Sequence, residues 1–205
     1  MNSITESFAF RNRGKAGFAL AAPMVALLLV SYPTVRENSS AGILLNLCGW
    51  LVFGLYVTFR VWATLFIGSR KDTELQSEGP YSITRNPLYF GTFCFGLSAV
   101  LLLKSLALAV VVLAGFLFYS RFVVRAEEHF LAGRFGEEFA KYCDGTPRFI
   151  PSFSRFRSPE SVNVSLAAFR AEAKRLWTAF LFPVAVEIMM QLRMSPHWPH
   201  WFRLP

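Results

Sequence analysis

Thirteen residues, Gly79 to Gly91, read GPYSITRNPLYFG and lie between two strongly apolar runs. They bring together two prolines, two glycines, two tyrosines, Arg85 and Asn86, types for which a bilayer or an apolar core has little use. In GPY, glycine permits close backbone approach and proline fixes φ, which gives a tight turn. In RNP, Asn86 is held extended because a proline follows it. Tyr81 and Tyr89 offer flat faces with a hydroxyl at one end. A helix starting at Leu88 leaves its first N–H groups available to a ligand. Thirty-six residues after Gly91 come two adjacent carboxylates, Glu127 and Glu128. Aromatic walls, N–H donors and carboxylates suit a ligand with a flat ring, hydroxyls or a carboxylate, and an amine or positive charge. A nucleoside with a cationic amino-acid tail meets that description. A re-entrant turn beside a solvated charge pair satisfies the spacing equally well.

The elements that must position these residues are membrane helices. Of the 205 residues, 54% are apolar, 22 are Phe and only 17% are charged, against about 25% charged in an ordinary soluble domain. Mean hydropathy is +0.39. The sequence predicts spans over 16–32, 41–68, 88–103 and 105–124. The first follows Arg11, Arg13 and Lys15 and so begins like a signal peptide, but it is long and is read as a first span. Residues 41–68 exceed what a hydrocarbon core of about 30 Å requires. Arg60 lies inside that run, at about 2.5–3.5 kcal/mol on insertion scales, and must snorkel or find a partner; an interfacial position is favoured over a chemical role. Only Lys104 and Ser105 separate the third and fourth runs, so these form a tight helical hairpin whose base brings the GPY–RNP segment and Glu127–Glu128 together.

From Glu127 to Tyr142 the pattern is amphipathic. Phe130, Leu131, Phe135, Phe139 and Tyr142 recur at three- and four-residue steps, as in an interfacial or bundle-capping helix. Glu137 and Glu138 are read as exposed charges of that helix and His129 as a surface residue. DGTPRFIP at 144–151 ends it. Residues 166–193 offer a fifth span, with an interfacial helix as the alternative; Pro183 and Glu187 count against the span. His197, Trp198, His200 and Trp201 read as an interfacial anchor. The fold class expected is thus all-α: one integral-membrane domain over 1–205, a polytopic helix bundle of four to five spans with a cytoplasmic cofactor-binding loop and an amphipathic helix.

Charge gives an orientation and narrows the partners. With the N-terminus inside, the cytoplasmic side holds sixteen Lys and Arg: three in the N-terminal arm, three between spans two and three, and ten from Arg121 to Arg175. The other side holds four, and Arg60 is the remaining one of 21. This is the positive-inside pattern, and it puts the loop and the glutamate pair in the cytoplasm. The net charge of +8 reflects these flanks and contact with anionic headgroups. Nucleic acid is not an expected partner, because no basic face interleaved with aromatics stands clear of the apolar runs. Cys48, Cys94 and Cys143 make no CxxC pair, and with three scattered His no metal site is expected.

GPYSITRNPLYFG followed, after the hairpin, by EEHFLAGRFGEEFAKYCDGTPRFIP resembles the membrane methyltransferases of the isoprenylcysteine carboxyl methyltransferase family and the related phospholipid N-methyltransferases. The shared pattern runs G-x-Y, R-H/N-P-x-Y-x-G, a hydrophobic hairpin, E-E-x-x-L, F-G-x-x-Y-x-x-Y and R-x-x-P, and covers about residues 72–151. The resemblance implies S-adenosylmethionine as cofactor, bound on the cytoplasmic side, and methyl transfer to an amphipathic acceptor entering from the bilayer: a prenylcysteine-like carboxylate, a lipid amine or a thiol. It implies cofactor contacts from Thr73, Glu74, Leu75, Gln76, Tyr81, Asn86, Pro87, Leu88, Tyr89 and Glu127. Glu128 would orient its helix and Arg85 would brace the loop against Glu127 or Glu128; no general base is singled out. Two positions depart from the carboxyl methyltransferases: Asn86 stands where they have His, and Val123 where they have an arginine facing the substrate. The contrasting reading is a non-catalytic membrane scaffold or transporter subunit. A transporter would want its polar groups near the midplane, whereas here they gather at one surface.

Overall fold

The computed structural model describes residues 31–32, 35–68, 74–195, 197–199 and 201–203. It is all-helical apart from a two-residue parallel pairing of β1 (Ser31–Tyr32) with β2 (Phe202–Arg203). Helix α1 runs Ser40–Ile67, capped by Ser39, whose hydroxyl accepts the Gly42 amide at 3.1 Å. A single turn, α2 (Pro80–Ile83), precedes α3 (Pro87–Leu103). Each begins with proline, the residue that tolerates a first helical position because its missing N–H has no intrahelical partner there.

The hairpin expected at Lys104–Ser105 is present. Lys104 takes a positive φ of 51°. Ser105 caps α4 (Leu106–Phe118), accepting the Leu108 amide at 3.2 Å. The amphipathic helix is not a separate element, as the sequence reading had it. A π-helical stretch, Tyr119–Val124, joins α4 to α5 (Arg125–Gly145), so that one helical rod covers Leu106–Gly145. Neither Gly nor Pro occurs between Gly115 and Gly133, so nothing there releases the backbone from the helix. The rod kinks at Gly136, with φ 53° and ψ −122°, a conformation open to glycine. A short 3₁₀ turn, Phe153–Arg155, leads on to α6 (Leu166–Arg193). Pro183 sits within α6 without ending it.

Among the described residues, three helical stretches are long and apolar enough to cross a membrane: Ser40–Ile67, Leu106–Gly145 and Leu166–Arg193. α3 is a shorter apolar helix of 17 residues, about 26 Å at 1.5 Å per residue. On length and composition the fifth run therefore qualifies as a span. The expected first span, 16–32, falls outside the described residues save for its last two. Leu44, Leu47, Leu51 and Leu55 form an exposed stripe on α1, and Trp177, Leu181 and Ile188 are exposed on α6. Continuous apolar exposure of this kind suits lipid rather than water.

The chain forms two compact units. The described residues of the first fall within 1–52, 96–126 and 181–205. Its core is Ala99, Leu102, Leu103, Leu108, Val186 and Met190, with Trp50, Val112 and Phe182 against it. Leu102 comes so close to Gly49 that an added Cβ would stand 2.7 Å from it, and Ser98 donates to the Gly49 carbonyl at 2.8 Å. Small residues at helix contacts and side chain-to-backbone bonds hold helices together where lipid gives no hydrophobic drive. At the hairpin tip Lys104 is buried and donates to both Glu37 carboxylate oxygens at 2.8 Å and to Asn46 Oδ1 at 2.7 Å. The second unit comprises 53–95 and 127–180. Ala63, Phe66 and Tyr81 are its buried centre, flanked by Trp62, Leu65, Leu88 and Val162. This unit holds the site.

Candidate functional site

Gly79 opens the site with φ 57° and ψ −128°. A Cβ there would stand 2.3 Å from the Phe66 ring, so only glycine lets the chain turn this tightly against α1. Its N–H donates to the Arg157 carbonyl at 2.8 Å. The Ser82 hydroxyl donates to the Gly79 carbonyl at 2.7 Å and accepts the Arg157 amide at 3.0 Å. The turn α2 is buried throughout.

Tyr81 lies within it, 6% exposed. Its carbonyl accepts the Tyr142 hydroxyl at 2.7 Å, while its own hydroxyl is buried without a hydrogen-bond partner among the described residues. Burial pushes the Tyr81 phenol well above its ordinary range; the neighbouring Tyr142 and Glu127 add to the effect and the positive charge of Arg60 opposes it.

A strap formed by residues 147–152 holds the segment between α2 and α3. The Arg85 amide donates to the Pro147 carbonyl at 2.8 Å, and the Ser152 amide to the Ile83 carbonyl at 2.9 Å. Thr84, extended and fully buried, donates to the Phe149 carbonyl at 3.0 Å. Asn86 donates to the Arg148 carbonyl at 3.0 Å. These bonds satisfy buried polar groups that would otherwise oppose folding, and they fix where α3 begins. One turn into α3, the Tyr89 hydroxyl donates to Glu127 Oε2 at 2.9 Å. The adjacent Glu128 carboxylate receives Arg148, at 3.1 Å from Nε and 2.8 Å from Nη2, with Arg85 Nη1 at 3.6 Å. Arg85 Nη1 also lies 2.7 Å from Cys143 Sγ.

The sequence reading put the loop and the two glutamates side by side, and they are. The two carboxylates divide the work: Glu127 meets the Tyr89 phenol, and Glu128 meets two guanidiniums. Arg85 braces against Glu128. Leu88 and Tyr89 are half-buried; Asn86 and Pro87 are buried, and the Asn86 amide is engaged by the strap. Leu75 and Gln76 are half-buried and Glu74 is exposed, just ahead of Gly79. Thr73 falls outside the described residues. His129, Glu137 and Glu138 are exposed, as expected. Arg148 was missed as a partner of Glu128. Its signal was present as the R of R-x-x-P, but a loop arginine sixty residues from the motif reveals its partner only once the chain folds. Glu172 was missed as well: nothing local in the sequence marks it, and it is the buried partner of Arg60. Among the described residues no three His, Cys, Asp or Glu side chains gather as a metal site.

A buried phenol lacking a partner, a carboxylate held by a second phenol, and a rigid backbone between them form a site that can take a polar ligand with amine or hydroxyl groups. Comparison with known proteins bears on which ligand. The phospholipid methyltransferase family model matches residues 38–138, a stretch that contains the whole loop and both glutamates. The nickel-cobalt-cadmium resistance protein NccN of Alcaligenes xylosoxydans xylosoxydans is 30% identical over 99% of this chain and 94% of its own length. The cobalt-zinc-cadmium resistance protein CzcN of Cupriavidus metallidurans is 31% identical over 86% of this chain and 82% of its own. No solved structure matches the chain. The match to the family model across the loop and both glutamates, together with similarity to NccN over nearly the entire length, makes the chain a member of the phospholipid methyltransferase family.

Proposed function

We propose that the protein is an integral-membrane methyltransferase that uses S-adenosylmethionine and acts on an amphipathic or lipid-like acceptor. The observation that carries this reading is the Tyr89–Glu127 pair beside the unpartnered Tyr81 hydroxyl. The residues present fit the cofactor. Glu127 would take its amine or ribose hydroxyls, Tyr81 and Tyr89 would offer ring faces and hydroxyls, and Leu88 an apolar wall. When bound, the cofactor supplies a methyl group already activated by its sulfonium, so the protein's task is proximity and orientation. Glu128, tied to Arg148 and Arg85, keeps the start of α5 and the strap in register, so that Glu127 is presented at a fixed distance from α3. Thr73 to Gln76, just ahead of the loop in sequence, would add further cofactor contacts. A carboxylate or thiolate acceptor needs no base, whereas an ammonium must first lose a proton. The whole chain is read as one membrane domain, with the N-terminus and the site in the cytoplasm.

The test is S-adenosylmethionine binding to detergent-solubilised protein by isothermal titration. Saturable binding is expected in the wild type. Glu127→Ala and Tyr89→Ala are each expected to weaken it at least tenfold, roughly the loss of one charge-assisted hydrogen bond of 1.5–3 kcal/mol. Wild-type affinity in both variants would refute the site.

A second reading has a specific observation behind it. Both relatives are named for resistance to cobalt and cadmium, with nickel or zinc, so the chain could serve metal resistance as a non-catalytic membrane subunit. A well-folded wild type with no affinity for S-adenosylmethionine would favour it.

A further inference from the structure

Outside the loop, the second unit holds a further charged cluster, between the apolar α1 and the polar first half of α6. Arg60, in the third quarter of α1, donates through Nε to Glu172 Oε1 at 2.5 Å and through Nη2 to Glu172 Oε2 at 2.8 Å. Glu172 lies on α6 with its side chain only 4% exposed, and it also receives Arg175 Nη1 at 3.2 Å. Two guanidiniums thus share one carboxylate: Arg60 from the packed side, and Arg175, whose side chain is 70% exposed, from the solvent side.

The geometry leaves one edge of Arg60 open. A guanidinium carries five N–H donors in a planar fork, and Glu172 occupies the Nε–Nη2 edge. The Nη1 edge has no protein partner among the described residues, and the Arg60 side chain keeps 19% of its surface exposed. The stem of Arg60 is led past α3 by Gly91, the last residue of GPYSITRNPLYFG: a Cβ there would stand 3.2 Å from Arg60 Cγ. Around the cluster the walls are aromatic. Phe59 meets Phe90 with ring centroids 4.6 Å apart, and Tyr56 meets Phe95 at 5.1 Å. One turn along α1 from Arg60, Ala63 shares a buried cluster with Tyr81, so Arg60 lies in the neighbourhood of the orphaned phenol of the cofactor site.

We propose that Arg60, held by Glu172, binds the anionic headgroup of the methyl acceptor, a carboxylate or phosphate ester whose apolar part lies along the aromatic side chains of α1 and α3. The inference rests on the methyltransferase reading and narrows its acceptor to an anionic amphiphile. Arginine suits the role because its planar fork can hold one oxyanion on each edge. Glu172 fixes the plane, and Arg175 offsets the carboxylate's repulsion of an incoming anion.

Titration of detergent-solubilised full-length protein with dihexanoyl phosphatidylglycerol and dihexanoyl phosphatidylcholine, below their micellar concentrations, tests it. The wild type should bind the anionic lipid about tenfold or more tightly than the zwitterionic one, the scale of a charge-assisted hydrogen bond. Arg60→Gln/Glu172→Gln, which removes both charges while keeping side-chain volume, should abolish that preference. Glu172→Gln alone, which unmasks Arg60, should retain or strengthen it. Competition by inorganic phosphate would identify a free anion as the ligand; lack of competition would identify the lipid headgroup. Absence of anionic preference in the wild type, or its persistence in the double variant, overturns the proposal. S-adenosylmethionine binding is measured on the same samples. If it survives in the double variant while the anionic preference is lost, the two sites are separate; if it is absent from the wild type, the failure lies with the methyltransferase reading.

Discussion

Tyr81 shows most directly how this site sets stability against use. A buried hydroxyl lacking a partner opposes folding by about 1–3 kcal/mol, so Tyr81→Phe should leave the ligand-free protein as stable as the wild type or about 1 kcal/mol more so, by thermal unfolding in detergent. The same change should weaken S-adenosylmethionine binding, because the ligand loses the group left waiting for it. The phenol also predicts a pH dependence. Burial raises its pKa above the unfolded value of about 10, so above that pH the unfolded chain releases the proton first and the native state is disfavoured. Stability associated with Tyr81 is therefore fully present below about pH 10 and declines as pH rises further. Melting curves from pH 8 to 11 should show a shallower alkaline loss in Tyr81→Phe than in the wild type. At the candidate site, the proximity of the phenols to Glu127 was legible from residue types and spacing. The division of labour between Glu127 and Glu128 was not, since it depends on Arg148 arriving from a distant loop.

At the scale of elements, the helical hairpin depends on a buried ion pair. Lys104 and Glu37 have side chains 1% and 3% exposed, and Asn46 completes the cluster from α1. Removing one charge strands the other, so Lys104→Met alone should lower stability by about 3–5 kcal/mol. Glu37→Gln/Lys104→Met should recover most of that loss, since a neutral, well-packed replacement for a buried pair is often close to neutral in stability. Equal melting temperatures for the single and double variants would show that packing rather than charge dominates the tip. The hairpin itself was legible from two polar residues between apolar runs. Its clasp was not, because Glu37 stands 67 residues from Lys104 and nothing local marks either as a partner. The continuity of α4 with α5 was missed for a related reason: a change from apolar to amphipathic pattern alters which surface a helix faces, and it need not break the backbone. The π-helical turn at Tyr119–Val124 absorbs that change.

For the whole molecule, the charge pattern makes a prediction about orientation. In a background lacking Cys48, Cys94 and Cys143, Glu138→Cys should react with a membrane-impermeant maleimide in inverted vesicles and stay unlabelled in intact cells. Labelling in intact cells would reverse the proposed orientation. The sequence by itself determined that this is a helical membrane protein, where its hairpin turns, and that the thirteen-residue loop and the glutamate pair lie side by side. These properties follow from hydropathy, from the conformational limits of Gly and Pro, and from short-range spacing, all of which act locally along the chain. Tertiary structure alone decided which charges are partners. Arg60 with Glu172, Lys104 with Glu37, and Arg148 with Glu128 join residues 20 to 112 positions apart. In a low-dielectric interior each such group must find an opposite charge, but the sequence specifies only the need, and the packing of the helices selects the partner.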